Sequence, residues 1–326
     1  MNTFGTAFRV SILGESHGEC IGILVDGCTA GLPLSASDFS SDIARRKPGA
    51  KGTTPRKEDD IPQIKSGVFN GKATGAPILI LFENKNADSS AYEKIKDTPR
   101  PGHADFAAKM KYGGFNDYRG SGHFSGRLTL ALVAAGVIAK KVLKGVKIGA
   151  RVLETGDVEK AAKEGDSVGG TVECRAGGLP AGLGEPFFNS AESLISHVAF
   201  SIPAIKGIEF GAGFSSAKML GSECNDEILN ADGKTKTNNA GGINGGITNG
   251  NELVFRVAVK PTSSVSKEQR TVNLKTGNAE RMTVEGRHDA CIALRVPVVL
   301  EAAAAIALAD MMLMEQKIPR VIRRTE

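Results

Sequence analysis

The sequence predicts an α+β fold in which antiparallel sheets pack around a few buried helices. Strand-like segments occur as neighbouring pairs joined by short loops, which favours antiparallel pairing. The apolar stretches 127–144 and 297–316 have the length and composition of buried helices. Regular alternation of strand and helix is absent. No proline-rich linker divides the 326 residues, so we expect a single domain spanning 1–326.

Local patterns place the elements along this domain. Strands are expected at 7–13, 21–26, 61–69, 76–83, 147–154, 169–176, 207–211 and 252–260. Helices are expected from a cap at Ser35 or Ser37 to Arg46, and at 89–96, 103–112, 127–144, 189–200 and 297–316. Residues 47–60 form a polar, basic loop. The Gly- and Asn-rich segment 221–251 is either a mobile lid or an ordered ligand cradle.

Composition restricts the functional class. The net charge of +5 is modest, and the basic residues recur singly beside glycine and proline, which suits an anionic small molecule better than nucleic acid. Tryptophan is absent and there are only three tyrosines, so base-stacking platforms are not expected. Five cysteines without a Cys-x-x-Cys pair indicate reduced thiols in a cytoplasmic protein, with no disulfide framework or metal site.

Membrane insertion and secretion are also disfavoured by the sequence. The N-terminus lacks the features of a signal peptide. The apolar stretches 128–139 and 296–309 are short for a membrane span, and the second contains Glu301. We therefore expect both stretches to be core helices of a protein that does not enter a membrane.

Four of the five histidines lie in loops flanked by glycine or arginine. They are His17 in Gly-Glu-Ser-His-Gly, His103 in Arg-Pro-Gly-His-Ala-Asp, His123 in Gly-His-Phe-Ser-Gly-Arg and His288 in Gly-Arg-His-Asp. A neighbouring glycine leaves the backbone open to a ligand, and an imidazole titrates near neutral pH. Together with the arginines, these loops indicate a site for an anionic substrate that needs proton transfer.

The first two loops are the candidates for acid–base chemistry. His17 follows Ser16, which can relay a proton, although a turn histidine with one backbone hydrogen bond is the simpler alternative. Arg100 and His103 share a turn in which the arginine can bind phosphate while the imidazole protonates a neighbouring group. We expect Asp105 to cap the following helix, a structural role.

Two further segments have phosphate-binding chemistry. Residues 122–127 precede a long helix, whose free N–H groups attract anions, and Arg127 adds a fixed positive charge. An ordinary glycine-rich helix cap is the alternative. Lys260-Pro261-Thr262-Ser263-Ser264 offers a cation and hydroxyls at the end of a strand, or else a solvated loop. Neither segment has the P-loop pattern, so a nucleoside triphosphatase is not expected.

Arg287-His288-Asp289 combines a carboxylate with two possible cations. Asp289 is either a base that removes a proton or a partner in a surface ion pair. The sequence has neither a paired-histidine metal motif nor the Gly-x-Ser-x-Gly elbow of serine hydrolases. From residues alone, the chain is an enzyme that handles phosphorylated molecules with histidine acid–base groups.

Taken together, these segments resemble the chorismate synthase family nearly from end to end. The resemblance is carried by Phe8-Arg9-Val10, Gly14–Gly18, Val25-Asp26-Gly27, Arg45–Gly49, Arg100–Asp105, Lys111-Tyr112-Gly113, Asp117–Gly120, Ala204–Gly207, Gly241-Gly242-Ile243, Lys260–Ser264 and Gly286–Asp289. The resemblance implies a 1,4-anti elimination of phosphate from 5-enolpyruvylshikimate 3-phosphate, the last step of the shikimate pathway towards aromatic amino acids. It further implies a requirement for reduced FMN with no net redox change.

The same resemblance implies a sandwich of antiparallel β-sheets around central helices, assembled as a homotetramer. No nucleotide-binding fingerprint for NADPH is visible, so NADPH would act only indirectly, through an external flavin reductase. The acid–base residues implied are His17, His103, Asp289, Ser16 and Ser125. The substrate-binding residues implied are Arg46, Arg100, Arg127 and Arg287. The implied flavin contacts are His123, Phe124, Ser125, Pro203, Ala204, Gly245, Lys260, Pro261, Thr262, Ser263, Ser264 and Arg287.

Several positions depart from the family pattern. The usual Arg-Ser-Ser-Ala-Arg segment is replaced by His123-Phe124-Ser125-Gly126-Arg127, Gly52 replaces a frequent arginine, Pro203 replaces a frequent asparagine, and residues 84–90 lack the usual Asp-Gln pattern. Three alternatives follow: another flavin-dependent enzyme acting on a phosphorylated anionic substrate, a nucleic-acid-binding protein with strongly salt-dependent affinity, and a family member without activity.

Overall fold

The computed structural model of this chain describes residues 2–47, 49, 59–85, 88–284 and 288–322. The strands are β1 (Thr3–Phe4), β2 (Arg9–Gly14), β3 (Cys20–Asp26), β4 (Gln63–Ile64), β5 (Val68–Phe69), β6 (Lys72–Ala73), β7 (Ile78–Glu83), β8 (Lys147–Thr155), β9 (Gly170–Gly177), β10 (Ile205–Phe210), β11 (Ile243–Asn244), β12 (Ile247–Thr248), β13 (Leu253–Val259), β14 (Gln269–Val272) and β15 (Ala279–Met282). The helices are α1 (Ser40–Arg46), α2 (Ser90–Ile95), α3 (Asp105–Lys111), α4 (Thr129–Val142), α5 (Val158–Lys163), α6 (Ala191–Ala199), α7 (Gly221–Cys224) and α8 (Val296–Met314).

Two antiparallel sheets form the framework. The first has the strand order β1-β2-β3-β7-β4, and the second has the order β10-β13-β9-β8. In the first sheet Ile23 pairs with Ile12 on one side and Ile80 on the other. In the second, Val172 pairs with Val152 and Val257. Because β-branched residues pack well on a pleated surface, these central strands supply much of the apolar core.

Helices α4 and α8 lie between the sheets. Helix α4 contacts β2 and β3 of the first sheet, and α8 contacts β8 and β9 of the second. The two helices pack closely where Gly136 faces Ala302, since a Cβ atom at Gly136 would come within 2.3 Å of the Ala302 Cβ. Small residues at this crossing let the backbones approach. The result is the sandwich of antiparallel β-sheets around central helices that the sequence predicted.

A buried carboxylate links α8 to three other elements. Glu301 accepts hydrogen bonds from Arg45 at 2.5 and 2.7 Å, from Lys140 at 2.8 Å and from the backbone N–H of Ala150 at 3.0 Å. Burial would raise the pKa of Glu301, but Arg45 and Lys140 outweigh it and lower the pKa. The charge is therefore retained in the core because its hydrogen-bonding capacity is filled.

Helix α8 agrees with the predicted range within two residues at each end, and an additional helical turn, Ile292–Arg295, precedes it. Residues Ile292–Met314 are long and apolar enough to cross a membrane by length and composition, but most of this segment is buried inside the protein. Its other acid, Asp310, accepts hydrogen bonds from the N–H groups of Thr6, Ala7 and Phe8 at 2.6 to 3.0 Å. The segment is thus the central core helix, as predicted.

The remaining predicted elements agree with the structure, with a few differences. The strand expected at 61–69 is divided, because Gly67 and the Asn70-Gly71 turn adopt positive φ angles that end extended pairing. The elements β1, α5, α7 and the hairpins β11–β12 and β14–β15 were not predicted, because their sequence patterns are too short to recognise. Segment 221–251 is ordered: Asp226 accepts hydrogen bonds from the N–H groups of Asn239 and Ala240 at 2.7 and 2.9 Å.

Candidate active site

Arg100 is buried at the centre of the first polar network. Its Nε donates to Asp105 Oδ2 at 2.7 Å and its Nη2 to Asp105 Oδ1 at 2.8 Å. Its Nη1 donates to Ser264 at 3.0 Å, and its Nη2 also lies 3.0 Å from the Ser121 hydroxyl. The guanidinium is therefore fixed by segments that are far apart in sequence, which prearranges a positive charge without reorganisation on ligand binding.

His103 belongs to the same network. Its Nδ1 lies 2.7 Å from Asp105 Oδ1, and the Ser121 hydroxyl lies 3.2 Å from its Nε2. The short contact with a carboxylate assigns the hydrogen to Nδ1, which leaves Nε2 as an acceptor facing the Ser121 hydroxyl. Burial would raise the pKa of Asp105, but hydrogen bonds from Arg100 and His103 hold it well below its usual range. Asp105 remains ionised and orients the imidazole.

The expectation that Asp105 caps its helix was wrong. Helix α3 begins at Asp105 itself, and the preceding Ala104 makes no side-chain cap. The carboxylate turns back instead and accepts the Arg100 N–H at 3.1 Å in addition to the two side chains described above. The charged partners within the turn offer stronger hydrogen bonds than the free N–H groups of a short helix.

His17 is held by different means. Its Nδ1 lies 2.9 Å from the Ser89 hydroxyl, and its ring makes an edge contact with Tyr92 at 5.3 Å between centroids. Gly120 lies against the ring, since a Cβ atom there would come within 2.1 Å of Cδ2. The neighbouring Ser16 is buried and donates its N–H to Gly122 at 3.1 Å. The imidazole is therefore held by a hydrogen bond and by close packing, and it also interacts electrostatically with Asp88 and Asp117.

A second cluster of charges contains two of the predicted substrate-binding arginines. Arg46 donates its Nε to Thr129 at 3.0 Å and its Nη2 to the carbonyls of Gly126 and Arg127 at 3.0 and 3.2 Å. Arg127 donates its Nη1 to Asp60 at 2.9 Å. Burial and the nearby Arg295 lower the pKa of Arg46 to about 9, so it stays charged at neutral pH.

Asn84 connects the arginine cluster to the His17 turn. Its side-chain oxygen accepts from Arg127 Nε at 2.7 Å, and its amide donates to the carbonyls of Glu15 and Gly18 at 3.0 and 2.9 Å. The amide thus fixes both ends of the turn that carries His17. Asn84 follows directly after β7, and a polar residue at the end of a buried strand is the only local signal that could have identified it.

Asp289 lies at the other side of Arg46. Arg295 donates its Nη1 to Asp289 at 3.1 Å and its Nε to the carbonyl of Arg46 at 3.2 Å. Asp289 is therefore in an ion pair, as the alternative expected, but both side chains are largely buried and the pair does not lie on the surface. The sequence interpretation did not include Arg295. Arg287 lies outside the residues that the structure describes, as do Pro48 and residues 50–58 of the basic loop.

Residues 122–127 contain the ordinary cap that was the alternative, and their phosphate-binding role stays a prediction. Gly122 adopts a φ of 51°, and the Ser125 hydroxyl accepts the Arg127 N–H at 3.4 Å, as in an ordinary cap. The segment also contacts the catalytic turns, because His123 donates from Nδ1 to the carbonyl of Gly14 at 2.8 Å. This donation fixes the orientation of the His123 ring against the turn before His17.

The 260–264 segment packs against the turn that contains His103. Ser263 donates to the carbonyl of Gly102 at 2.6 Å, and Lys260 donates to Ser263 at 2.7 Å. Ser264 accepts a hydrogen bond from Arg100, and Pro261 lies between Lys260 and Ser263 in the sequence. The alternative of a solvated loop was therefore wrong. Burial and the nearby Lys206 lower the pKa of Lys260. The Thr262 hydroxyl is buried and, among the described residues, has no hydrogen-bond partner.

A cavity of about 270 Å³ lies beside the predicted flavin-contacting residues His123, Phe124, Ser125 and Pro203. Apolar side chains from β2, from α4 and from the residue before α4 line it. They are Val10, Ile12, Leu128 and Leu132. Ala204 is next to this wall with a φ of 76°, and its carbonyl accepts the Lys260 N–H at 2.9 Å. Gly245 lies in the β11–β12 turn, and no described contact connects it to these residues.

The segment 120–127 brings the separate motifs together. Ser121 contacts Arg100 and His103, Gly120 contacts the His17 ring, and Arg127 pairs with Asp60. Two histidines with fixed orientations beside buried arginines define a class of protein: an enzyme that binds an anionic substrate and transfers a proton.

Comparisons with known proteins identify the family. The family model of chorismate synthase matches residues 8–162 and 155–313. A chorismate synthase from Chitinophaga pinensis is 64% identical over 99% of this chain and 100% of its own length. One from Methanocaldococcus jannaschii is 44% identical, with 96% of both chains covered. A crystal structure of chorismate synthase superposes with a TM-score of 0.75 at 28% identity, covering 96% of this chain and 93% of the other.

The chain belongs to the chorismate synthase family. It is therefore an enzyme, a carbon–oxygen lyase that removes phosphate.

Proposed function

We propose that this enzyme converts 5-enolpyruvylshikimate 3-phosphate to chorismate and phosphate, with reduced FMN required and no net redox change. The observation that carries the proposal is the set of contacts made by segment 120–127, which joins the His17 turn, the His103 network and the Arg46–Arg127 cluster. Anion binding and proton transfer then take place within one site. The full-length match to the family supports the same reaction.

The arginines bind the three anionic groups of this substrate. Arg46, Arg100 and Arg127 are held by neighbouring side chains and carbonyls before any ligand arrives. As phosphate leaves, negative charge grows on its oxygens, and fixed cations in a water-poor site stabilise that charge. Arg287 belongs to the same proposal through the family motif alone.

The two histidines divide the proton transfers. With Nδ1 donating to the Asp105 carboxylate, Nε2 of His103 accepts a proton in the neutral ring and donates it from the imidazolium form, beside Ser121. One of the two histidines, either His17, which Ser89 holds, or His103, serves the substrate or its leaving phosphate, and the other serves the reduced flavin. Asp289, with Ser16 and Ser125, relays the proton at the flavin N5 atom. Ser16 donates its backbone N–H to the Gly122 carbonyl, and Ser125 lies three residues after Gly122 in the same segment.

The residues around the 270 Å³ cavity suit a flavin. The apolar lining beside His123 and Phe124 matches the flat, apolar part of an isoalloxazine ring, and the unpartnered Thr262 hydroxyl is available for a polar edge. When bound, reduced FMN supplies a transient electron to the substrate and recovers it. Pro203 lines this cavity and cannot donate an amide hydrogen bond, and the following Ala204 is hydrogen-bonded to Lys260 of the 260–264 segment.

The remaining features follow the family. We propose a homotetramer in the cytoplasm that receives reduced FMN from an external reductase, so that NADPH is used only indirectly. Five free thiols agree with a reducing compartment. No partner beyond a second copy of the chain and the flavin reductase is required, and nucleic acid has no part in the proposal.

An anaerobic assay tests the function. Purified protein is mixed with 5-enolpyruvylshikimate 3-phosphate and chemically reduced FMN, and chorismate and phosphate are followed together. Equal release of both over many turnovers, with FMN not consumed, is the expected result. Stoichiometric oxidation of the flavin would instead identify a true oxidoreductase. Binding of substrate and flavin without turnover would identify a family member that has lost activity.

A further inference from the structure

Asp60 is a buried acid among the proposed substrate-binding arginines. Its side chain is only 4% exposed, although the preceding Asp59 is exposed. Its backbone has a φ of 51°, in the left-handed region that is costly for residues other than glycine and is best tolerated by Asn and Asp. Such a conformation persists where surrounding contacts hold it, and it is enriched at functional sites.

The contacts of Arg127 show what the carboxylate does. Asp60 Oδ1 accepts from Arg127 Nη1 at 2.9 Å. The other partners of this guanidinium are neutral: Asn84 at 2.7 Å and a longer contact to the Glu83 carbonyl at 3.5 Å. Asp60 therefore supplies the only ionic contact to Arg127 among the described residues.

Arg46 depends on Asp60 less. Its Nε and Nη2 are fixed by Thr129 and by two backbone carbonyls, whereas its Nη1 faces Asp60 Oδ2 at 3.9 Å. That separation is an electrostatic contact and not a hydrogen bond. The carboxylate thus lies between two guanidiniums but is bonded to one of them, and its geometric effect is greatest on Arg127.

Charge balance gives a second reason for the acid. Arg46, Arg127 and Arg295 interact electrostatically in a largely buried cluster, where Arg295 and Arg127 disfavour the charge on Arg46 while Asp60 and Asp289 favour it. Three buried cations this close would repel one another and move apart without counter-charges. Two carboxylates leave a net charge of about +1 by this count, which still attracts an anion.

We propose that Asp60 is a positioning residue of the anion site: it fixes Arg127 beside Arg46 so that both guanidiniums meet one anionic group of the substrate. The proposal rests on the proposed function, since it takes Arg46 and Arg127 as substrate-binding residues. Asp60 itself does not touch the substrate and acts through Arg127. The opposite role, a carboxylate that competes with substrate for the same cations, predicts the opposite change in affinity.

The test compares Asp60→Asn with Asp59→Asn. Asparagine tolerates the left-handed backbone and keeps an oxygen that accepts from Arg127, so the variant removes the charge and little else. Inorganic phosphate and 5-enolpyruvylshikimate 3-phosphate are titrated separately by calorimetry. We expect Asp60→Asn to weaken binding of both by about tenfold.

Asp59→Asn, the same change at an exposed neighbour, should bind as the parent protein does. Asp60→Gly, whose backbone accepts this φ without strain, should also weaken binding.

A double-mutant cycle shows whether the effect passes through Arg127. In an Arg127→Gln background, Asp60→Asn should change phosphate affinity by less than about twofold, because the group that it positions is gone. In turnover, KM should rise with little change in kcat. Tighter phosphate binding in Asp60→Asn would establish the competing role, and unchanged affinity would show that the acid is structural only; either result overturns the proposal. Phosphate binding is measured without turnover, so failure of the proposed reaction would be seen separately in the parent protein.

Discussion

The two acid–base histidines occupy contrasting environments. His103 lies in a polar network, with Asp105 at 2.7 Å on one side and Ser121 at 3.2 Å on the other. His17 is packed between the Tyr92 ring and Gly120 and has a neutral hydroxyl at Nδ1. The first ring is oriented by a direct hydrogen bond to a charged group, whereas the second is in close packing contact and hydrogen-bonded to a neutral group, with Asp88 and Asp117 interacting with it only electrostatically. The two should therefore respond to different kinds of substitution, and this contrast can be tested.

Removing the His103 imidazole should have the largest effect. His103→Ala eliminates one of the two proposed acid–base groups, and we expect kcat to fall by about 100- to 10,000-fold, the range of general acid–base catalysis. Pre-steady-state and steady-state chorismate formation measure the loss, with circular dichroism to confirm folding. Near-normal turnover in a folded protein would show that His103 is not one of these groups. In that case His17 would be the only one of the two histidines with a proposed catalytic role.

A methyl group at Gly120 tests the role of shape around His17. Gly120→Ala would place Cβ within 2.1 Å of the ring, at a φ of 56° that also strains the new residue. The imidazole must move, and a displacement of this size costs on the order of 100-fold in kcat.

Gly145→Ala is the matched control for this change. Gly145 has a φ of 92°, so the substitution strains the backbone in a similar way, but nothing lies within 4 Å of the new Cβ. It should lower the melting temperature and leave kcat unchanged. Equal losses of activity in the two variants would mean that backbone strain, and not contact with His17, explains the result.

The contrast between the two histidines also explains which contacts of this site could be predicted from the sequence. Arg100, His103 and Asp105 lie within six residues, so the local motif contains their mutual contacts, although Ser121 and Ser264 join the network from distant segments. The contacts around His17 come from residues 72 and 103 positions away, and no periodicity or spacing brings Ser89 or Gly120 to that ring. Asn84 and Arg295 were missed for the same reason, because only the pairing of strands and the packing of α8 determine their partners.

The fold was more predictable than these contacts. Alternating strands and two long apolar helices determine which faces are buried, and burial dominates the arrangement of sheets and helices. Short elements such as α5 depend on a single cap, Asp157 accepting the Lys160 N–H at 2.9 Å, and lack a repeating pattern. Asp105 shows that a local sequence pattern can also mislead. Its position near the start of a predicted helix favoured a helix cap, but Arg100 and His103 bind the carboxylate more strongly.

The charge around His103 should be visible in the pH dependence of stability. Because the pKa of Asp105 is lowered in the folded protein, its contribution is fully present above the unfolded value of about 3.9 and is lost as the pH falls through the folded value. At pH 7, Asp105→Asn should reduce the free energy of unfolding by about 1–3 kcal/mol. The difference from the parent protein should shrink below about pH 4.

Urea unfolding at a series of pH values measures this difference. Asp166→Asn is the control, because Asp166 pairs with Lys267 on the surface at 3.0 Å and such pairs contribute little. A difference in unfolding free energy that does not change with pH would show that the Asp105 side chain acts by packing. The environments of His103 and His17 would then no longer differ in the role of charge.

Ser89 gives the smallest and most discriminating effect. Its hydroxyl is the hydrogen-bond partner at His17 Nδ1, and loss of one neutral bond is worth about 1 kcal/mol, or roughly fivefold in rate. Ser89→Ala should therefore lower kcat about fivefold and shift its pH profile, while Ser89→Thr restores both. Ser90→Ala, at the adjacent exposed position, should change neither. A large loss in Ser89→Ala, comparable to that of Gly120→Ala, would mean that His17 is held by its hydrogen bond after all, and that the two histidines are oriented by the same principle.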